Sequence, residues 1–312
     1  MIRRHGRAPH PPDRIASLSS FAIVRVIIAA ILLVGGASLA SPARAADAPG
    51  APARTLLESL FGRPAGAASE TDEERPIDPD RPHFPESATA VGKGRVVLES
   101  GYTFSEKGSA TSQSFPEALL RVGLFADWFE LRIGQNVLDE ERTGPGARGS
   151  AFGATDLYLG VKVALVEQRG FLPAIALIPQ MTVPTGSRTL TADRVLPGLN
   201  VDGAWEVVEG LFNVEVLVAT NQVADDIHRS HVEVATGLTG ALHVTRALEA
   251  FLEWDAAYPA GSDRPGSGPR HSAVGGLVYF VSKDVAVDVR VGAGLSSRAP
   301  DLLVGAGFAV RY

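Results

Sequence analysis

The chain has 312 residues, a formal net charge of −6, 45% hydrophobic residues and no cysteine. An acidic chain is a poor partner for nucleic acid, and without thiols neither a disulfide framework nor a thiolate zinc site can hold the fold. Beyond residue 40 no stretch offers the roughly eighteen consecutive apolar residues of a membrane helix, so any crossing must be made by strands.

The first 45 residues have the layout of a secretory signal. Arg3, Arg4, Arg7 and Arg14 form a basic region, residues 26–34 are an uninterrupted aliphatic run, and Ala43-Arg44-Ala45 is a small-x-small cleavage site. An uncleaved anchor is the alternative, but Gly35-Gly36 and Pro42 break a core that is already short. Cleavage near Ala45 removes six Arg and one Asp and moves the net charge from −6 to −11.

Residues 46–90 are rich in Ala, Pro, Gly and acidic side chains, a composition expected of a disordered, flexible periplasmic leader. Within it, Thr55 and Glu58 form a capping box. Leu56, Leu57, Leu60 and Phe61 supply apolar positions, and Gly62 and Pro64 stop the pattern, predicting a short helix over 55–62. Such a helix either plugs a lumen, docks on a partner, or forms only transiently.

From residue 91 the pattern is repeated strands of period two. Twelve are expected, over 95–104, 115–124, 129–137, 153–165, 174–183, 199–207, 211–221, 231–243, 248–256, 272–280, 285–295 and 302–312. In the fourth, Leu157, Leu159, Val161, Val163 and Leu165 alternate with Asp156, Tyr158, Gly160, Lys162 and Ala164. In the eleventh, Val285, Val287, Val289 and Val291 alternate with Ala286, Asp288, Arg290 and Gly292. Connections of alternating length join them. Short turns follow the even strands, and longer polar segments, 105–114 and 138–152 among them, follow the odd ones. An all-β, antiparallel transmembrane barrel sorts its periplasmic turns and extracellular loops in this way, and an even count returns both ends to the periplasm. A soluble β-sandwich has no reason to do so.

Aromatic residues fall in two girdles. Phe125, Trp128, Phe129, Phe171, Trp205, Phe212, Tyr279, Phe308 and Tyr312 belong to the short-turn end, and Phe104, Phe115, Phe152, Trp254 and Tyr258 to the other. The last strand ends on Tyr312, which completes a stripe with Val304, Ala306, Phe308 and Val310. Phe308 and Tyr312 thus resemble the C-terminal aromatic signal that outer-membrane assembly machinery reads. This strand should pair with the first to remove both sheet edges.

If the aliphatic stripe faces lipid, the charged stripe must face the lumen, because Lys or Arg at the lipid midplane costs about 2–4 kcal/mol. That stripe holds twelve carboxylates: Glu99, Glu117, Glu130, Asp156, Asp202, Glu206, Glu215, Glu233, Glu249, Glu253, Asp255 and Asp288. It holds five cations: Arg121, Arg132, Lys162, Arg290 and Arg311. The acid excess allows a conduit preferring cations or polar solutes. Alternatively, cross-strand pairs such as Glu130 with Arg121 and Asp288 with Arg311 close the interior as a salt-bridged plug.

Catalytic and metal sites are weakly signalled. His271 stands beside Ser272, and His228 and His231 lie at a predicted loop, but there is no Gly-x-Ser-x-Gly elbow. Asp225, Asp226, His228 and His231 offer metal-ligand types with no more than loop spacing to support them. No enzyme activity, cofactor or metal is expected.

Several segments in order carry a family resemblance. They are Arg81-Pro-His-Phe84, Gly92-Lys-Gly94, Leu98-Glu99 with Gly101-Tyr102, and residues 116–123 followed by Leu131-Arg132 and Gly134. Gly153, Asp156, Gly160 and Lys162, then Val183-Pro184-Thr185-Gly186, continue it. Over residues 79–312 the chain resembles the outer-membrane proteins grouped under the phenol meta-cleavage degradation pathway name, often labelled transporters. The resemblance implies passage of small, often hydrophobic or aromatic solutes at the outer membrane of a Gram-negative-type envelope. Outer-membrane lipid, the assembly machinery and a small-molecule solute are then the expected partners, with no nucleic acid. A closed structural or surface-interaction barrel is the alternative, and an outer-membrane lipid-modifying enzyme stands behind it.

Overall fold

The computed structural model describes residues 53–62, 76–144, 147–224, 229–260 and 268–312. The expected signal segment 1–45, leader residues 63–75, and Asp225, Asp226 and His228 lie outside the described residues.

Thirteen strand segments form one antiparallel sheet: β1 (Val96–Lys107), β2 (Ala110–Gly123), β3 (Phe129–Gly144), β4 (Ala147–Ala154), β5 (Leu157–Val166), β6 (Ala174–Val183), β7 (Leu196–Val208), β8 (Phe212–Ala224), β9 (Ser230–Thr245), β10 (Leu248–Ala260), β11 (Arg270–Ser282), β12 (Val285–Gly294) and β13 (Leu302–Arg311). Each pairs with its neighbours, and β1 pairs with β13 from Val97 opposite Arg311 to Glu106 opposite Leu302, so the sheet closes as expected. β4 and β5 share one position in the wall. β3 pairs with β5 along its first half and with β4 along its second. The barrel therefore has twelve staves, one of them broken at Thr155-Asp156.

The alternation read in the sequence sets the two faces. Along β12, Val287, Val289 and Val291 are exposed while Ala286 and Asp288 are buried; along β13, Val304 and Phe308 are exposed while Ala309 is buried. Leu252 is 70% exposed and Val289 52%, values that a water-facing wall repeated around a whole barrel could not sustain. This outer band is the lipid face of a membrane barrel.

Two segments expected to be loops are largely strand among the described residues. Residues 105–107, 110–114, 138–144 and 147–152 extend β1, β2, β3 and β4, and the β2–β3 ladder continues as far as Ala110 opposite Arg142. Their polarity had suggested loops. Backbone groups pair equally well above the bilayer, where the side chains meet water on both faces, so polarity there marks a protruding wall.

Two pieces of the expected leader are built into the structure. Helix α1 (Leu56–Phe61) forms where the capping box placed it, with Thr55 Oγ1 accepting from Glu58 N at 3.3 Å. Residues 76–94 are packed inside the barrel. Ile77 N donates to Lys283 O at 2.7 Å at the short-turn end, and its side chain packs with Val97, Val278, Ala286 and Ala309. Gly94 N donates to Gly123 O at 2.9 Å, at the same end. Between these points the chain rises into the lumen and returns, forming a re-entrant strap. The flexible-leader expectation is thus corrected for residues 76–90: they lack the hydrophobic periodicity of a strand because they join no ladder.

Candidate functional site: the strapped lumen

The strap is held by strand carboxylates that accept from its backbone. Asp80 N and Arg81 N each donate to Glu99 at 3.0 Å, on Oε1 and Oε2. Phe84 N donates to Glu253 at 2.7 Å, Glu86 N to Asp202 at 3.0 Å and Val91 N to Glu130 at 3.0 Å. An unpaired backbone N–H in a dry interior is costly. Inward carboxylates supply acceptors where no neighbouring strand can.

Strap side chains complete an ion-pair layer across the barrel. Asp80 lies 2.5 Å from Arg132, 2.8 Å from Lys162 and 3.4 Å from Arg121. Arg121 also pairs with Glu99 and Glu130 at 2.9 Å, and Arg132 with Glu130 at 2.9 Å and Glu86 at 3.0 Å. Lys162 Nζ donates to Ser87 O at 2.7 Å. Arg121, Arg132, Lys162, Glu99 and Glu130 are all fully buried. Burial alone would raise the Asp80 carboxyl, but the charges of Arg121, Arg132 and Lys162 hold it well below the usual carboxylate range.

Arg81 and His83 reach the other half of the circumference. Arg81 pairs with Glu117 at 2.7 Å and Asp288 at 3.5 Å, and its guanidinium lies across Gly101 and Gly307, where any Cβ would overlap it. Arg290 donates to Pro82 O at 2.8 Å and Thr103 Oγ1 at 2.9 Å. His83 Nδ1 is 3.0 Å from Glu215, its Nε2 3.8 Å from Glu249, and its ring meets Phe251 edge-on at 4.5 Å. Burial would lower the His83 pKa, but the hydrogen bond and charge of Glu215, with Glu249 and Glu253, raise it to about 9.

The lumen-lining residues inferred from sequence fall into several groups. Glu99, Glu117, Arg121, Glu130, Arg132, Lys162, Asp202, Glu215, Glu249, Glu253, Asp288 and Arg290 converge on the strap, while Glu206 accepts from Gly210 N at 2.6 Å in the β7–β8 turn and Asp255 lies opposite Ser272. The expected Glu130–Arg121 pair is present at 2.9 Å. Two others stand at the rims: Glu233 pairs with Arg270 at 2.9 Å, and Arg311 with Asp284 at 2.6 Å. The expected Asp288–Arg311 pair is not formed, because Arg81 takes Asp288 and the β11–β12 turn offers Asp284 to Arg311. Asp156 anchors a loop, accepting from Gly186 N at 3.0 Å and Ala192 N at 2.9 Å, which is why the stave breaks beside it. Asp80, Arg81, His83 and Glu86 were not anticipated as site residues. Arg81 and His83 did stand in the Arg81-Pro-His-Phe84 segment that carries the family resemblance, and the surplus of inward carboxylates over cations is the second signal, since it leaves acceptors in need of donors.

The strap separates two cavities. The lower, about 900 Å³, lies at the short-turn end among Thr55, Ile77, Val91, Arg95, Gln168 and Arg311. The upper, about 1000 Å³, lies toward the longer loops, where Arg81, Glu86, Arg132 and Arg290 meet Leu119, Tyr158, Gln180, Met181, Leu196 and Asn221. Its wall combines apolar and hydrogen-bonding groups.

His271 and Ser272 are adjacent in β11 and therefore point to opposite faces. His271 lies outside against Trp254 and Tyr258, while Ser272 is inside opposite Asp255, so they form no catalytic dyad.

No curated protein sequence matches the chain significantly. The COG4313 outer membrane channel from Pseudomonas putida F1 is similar in structure, with a TM-score of 0.61 at 13% identity over 73% of this chain and 99% of that one. The NanC porin (TM-score 0.46, 8% identity, 69% and 98% covered) and the CymD monoaromatic hydrocarbon channel (0.39, 8%, 70% and 89%) are more distant. The chain is a closed outer-membrane β-barrel. The family model described as "Putative MetA-pathway of phenol degradation" matches residues 79–312, the greater part of the chain, and the chain belongs to that family.

Proposed function

We propose that the barrel is a passive outer-membrane channel for small solutes, with the strap determining what passes. The observation that carries this reading is the pair of cavities, about 900 and 1000 Å³, stacked along the barrel and divided by one re-entrant segment. The mixed upper wall suits small amphipathic molecules, in keeping with the family's implied solutes, and the reading assigns no covalent chemistry. The acid excess does not make the lumen a bare cation conduit, since strap N–H groups, Arg81 and His83 meet most of those carboxylates. Outer-membrane lipid is the surrounding partner, and Phe308 and Tyr312 are the signal offered to the assembly machinery.

One observation favours a second reading, a sealed structural barrel: Arg121, Arg132, Lys162, Glu99 and Glu130 of the ion-pair layer are fully buried. Planar-bilayer recording decides between them. Discrete channel events from the intact protein, larger once the strap is loosened, support the channel. Silence from both forms overturns it.

A further inference from the structure

The polar side of α1, and not its apolar side, faces the barrel. Thr55 and Glu58 are buried, Glu58 lies 3.5 Å from Arg169, and the helix rests against β5. Leu57, Leu60 and Phe61, at i, i+3 and i+4, share the opposite face, and Phe61 is 82% exposed. This is the reverse of a helix packed on a water-soluble core.

The neighbouring β5–β6 turn, residues 167–173, repeats the pattern. It carries Arg169, the partner of Glu58, and exposes Phe171 to 92% together with Leu172. The turn is bent onto the outer wall, because Phe171 O accepts from Trp205 Nε1 at 3.0 Å. Trp205 stands on the outward stripe of β7 with the exposed Val201 and Val207. The apolar surface of helix and turn is therefore continuous with the lipid-facing band at its aromatic girdle.

We propose that α1 and the 167–173 turn form an interfacial foot whose partner is phospholipid of the periplasmic leaflet. Leu57, Leu60, Phe61 and Phe171 insert roughly 5–10 Å into the boundary of headgroups and acyl chains, the depth of an interfacial helix. Arg169 stays at headgroup level. Six residues are too few to bind a membrane alone, but the barrel supplies the anchoring. Because Arg54 and Thr55 line the lower cavity, the foot also fixes the leader beside the periplasmic mouth. The inference goes beyond the channel reading and does not rest on it.

The absence of cysteine makes the test direct. Phe61→Cys, Leu57→Cys and Phe171→Cys, with Glu209→Cys in the exposed β7–β8 turn as the aqueous reference, are each labelled with a nitroxide. The folded barrels, identified by heat-modifiable gel mobility, are placed singly in phospholipid nanodiscs. The expected result is several-fold preferential collision with oxygen over a water-soluble nickel chelate at 57, 61 and 171, relative to 209. In the chain labelled at 57, Leu60→Asp with Phe61→Asp should raise chelate collision several-fold. Chelate access at 57 and 61 equal to that at 209 overturns the proposal. Shielding from both reagents, the signature of a protein partner, also overturns it.

Discussion

Asp80→Ala tests whether the strap is held by charge. In the intact layer Asp80 meets Arg121, Arg132 and Lys162. Removing it has unequal consequences. Arg121 keeps Glu99 and Glu130, and Arg132 keeps Glu130 and Glu86, all within 3.0 Å. Lys162 keeps only the carbonyl of Ser87, at 2.7 Å. The cost is therefore dominated by one buried ammonium left without a directly bonded carboxylate, about 3–5 kcal/mol for a broken buried pair, together with the Ser87 N–H that donates to Asp80 at 3.0 Å. At 1.4 kcal/mol per tenfold, docking of the strap should weaken at least a hundredfold. The barrel itself should survive, since none of its ladders uses Asp80. The assay is single-channel conductance, supported by protease cleavage of the strap in folded, heat-modifiable protein. Larger conductance and faster cleavage are expected. Lys162→Met in the Asp80→Ala background should reverse most of the effect, because removing both partners leaves no orphan charge. Unchanged conductance and cleavage in folded Asp80→Ala protein would refute the reasoning. A double variant as loose as the single one would show that Lys162 is not the source of the cost.

Three further outcomes are expected. The His83 pKa is raised from 6.5 to about 9, so its ion pairing supports the docked strap fully below pH 6.5 and is lost as pH climbs through 9; conductance should grow across that window, and His83→Gln should reduce the pH dependence, whereas a profile unchanged by His83→Gln would count against the latch. Val289→Arg, on the outward stripe, should destabilise the barrel in bilayers by about 2–4 kcal/mol in urea titrations, and a change near zero would mean that this face is not in lipid. Tyr312 exchanges backbone hydrogen bonds with Val96 at 2.8 and 3.2 Å, so deleting it should depress the amount assembled in the outer membrane while leaving the conductance of the assembled fraction unchanged. Normal assembly of the truncated chain would remove the role given to the seam.

By itself the sequence determined whatever depends on local period. Alternation in β12 and β13 assigned each side chain to lipid or lumen, and the terminal stripe ending on Tyr312 predicted the closing pair with β1. Glu130 and Arg121 could be matched because they lie on adjacent strands near one short turn. The tertiary structure decided which donor each inward carboxylate meets. Strand adjacency predicts a pair between Asp288 and Arg311, yet Arg81, distant in sequence, reaches Asp288 across the lumen over the bare backbone of Gly101 and Gly307. The strap had no period to read, because its N–H groups are satisfied one at a time by Glu99, Glu253, Asp202 and Glu130. A strand records its neighbours in its alternation. A segment held by scattered side chains leaves its mark only on them, here as an excess of buried carboxylates whose partners the closed barrel brought together.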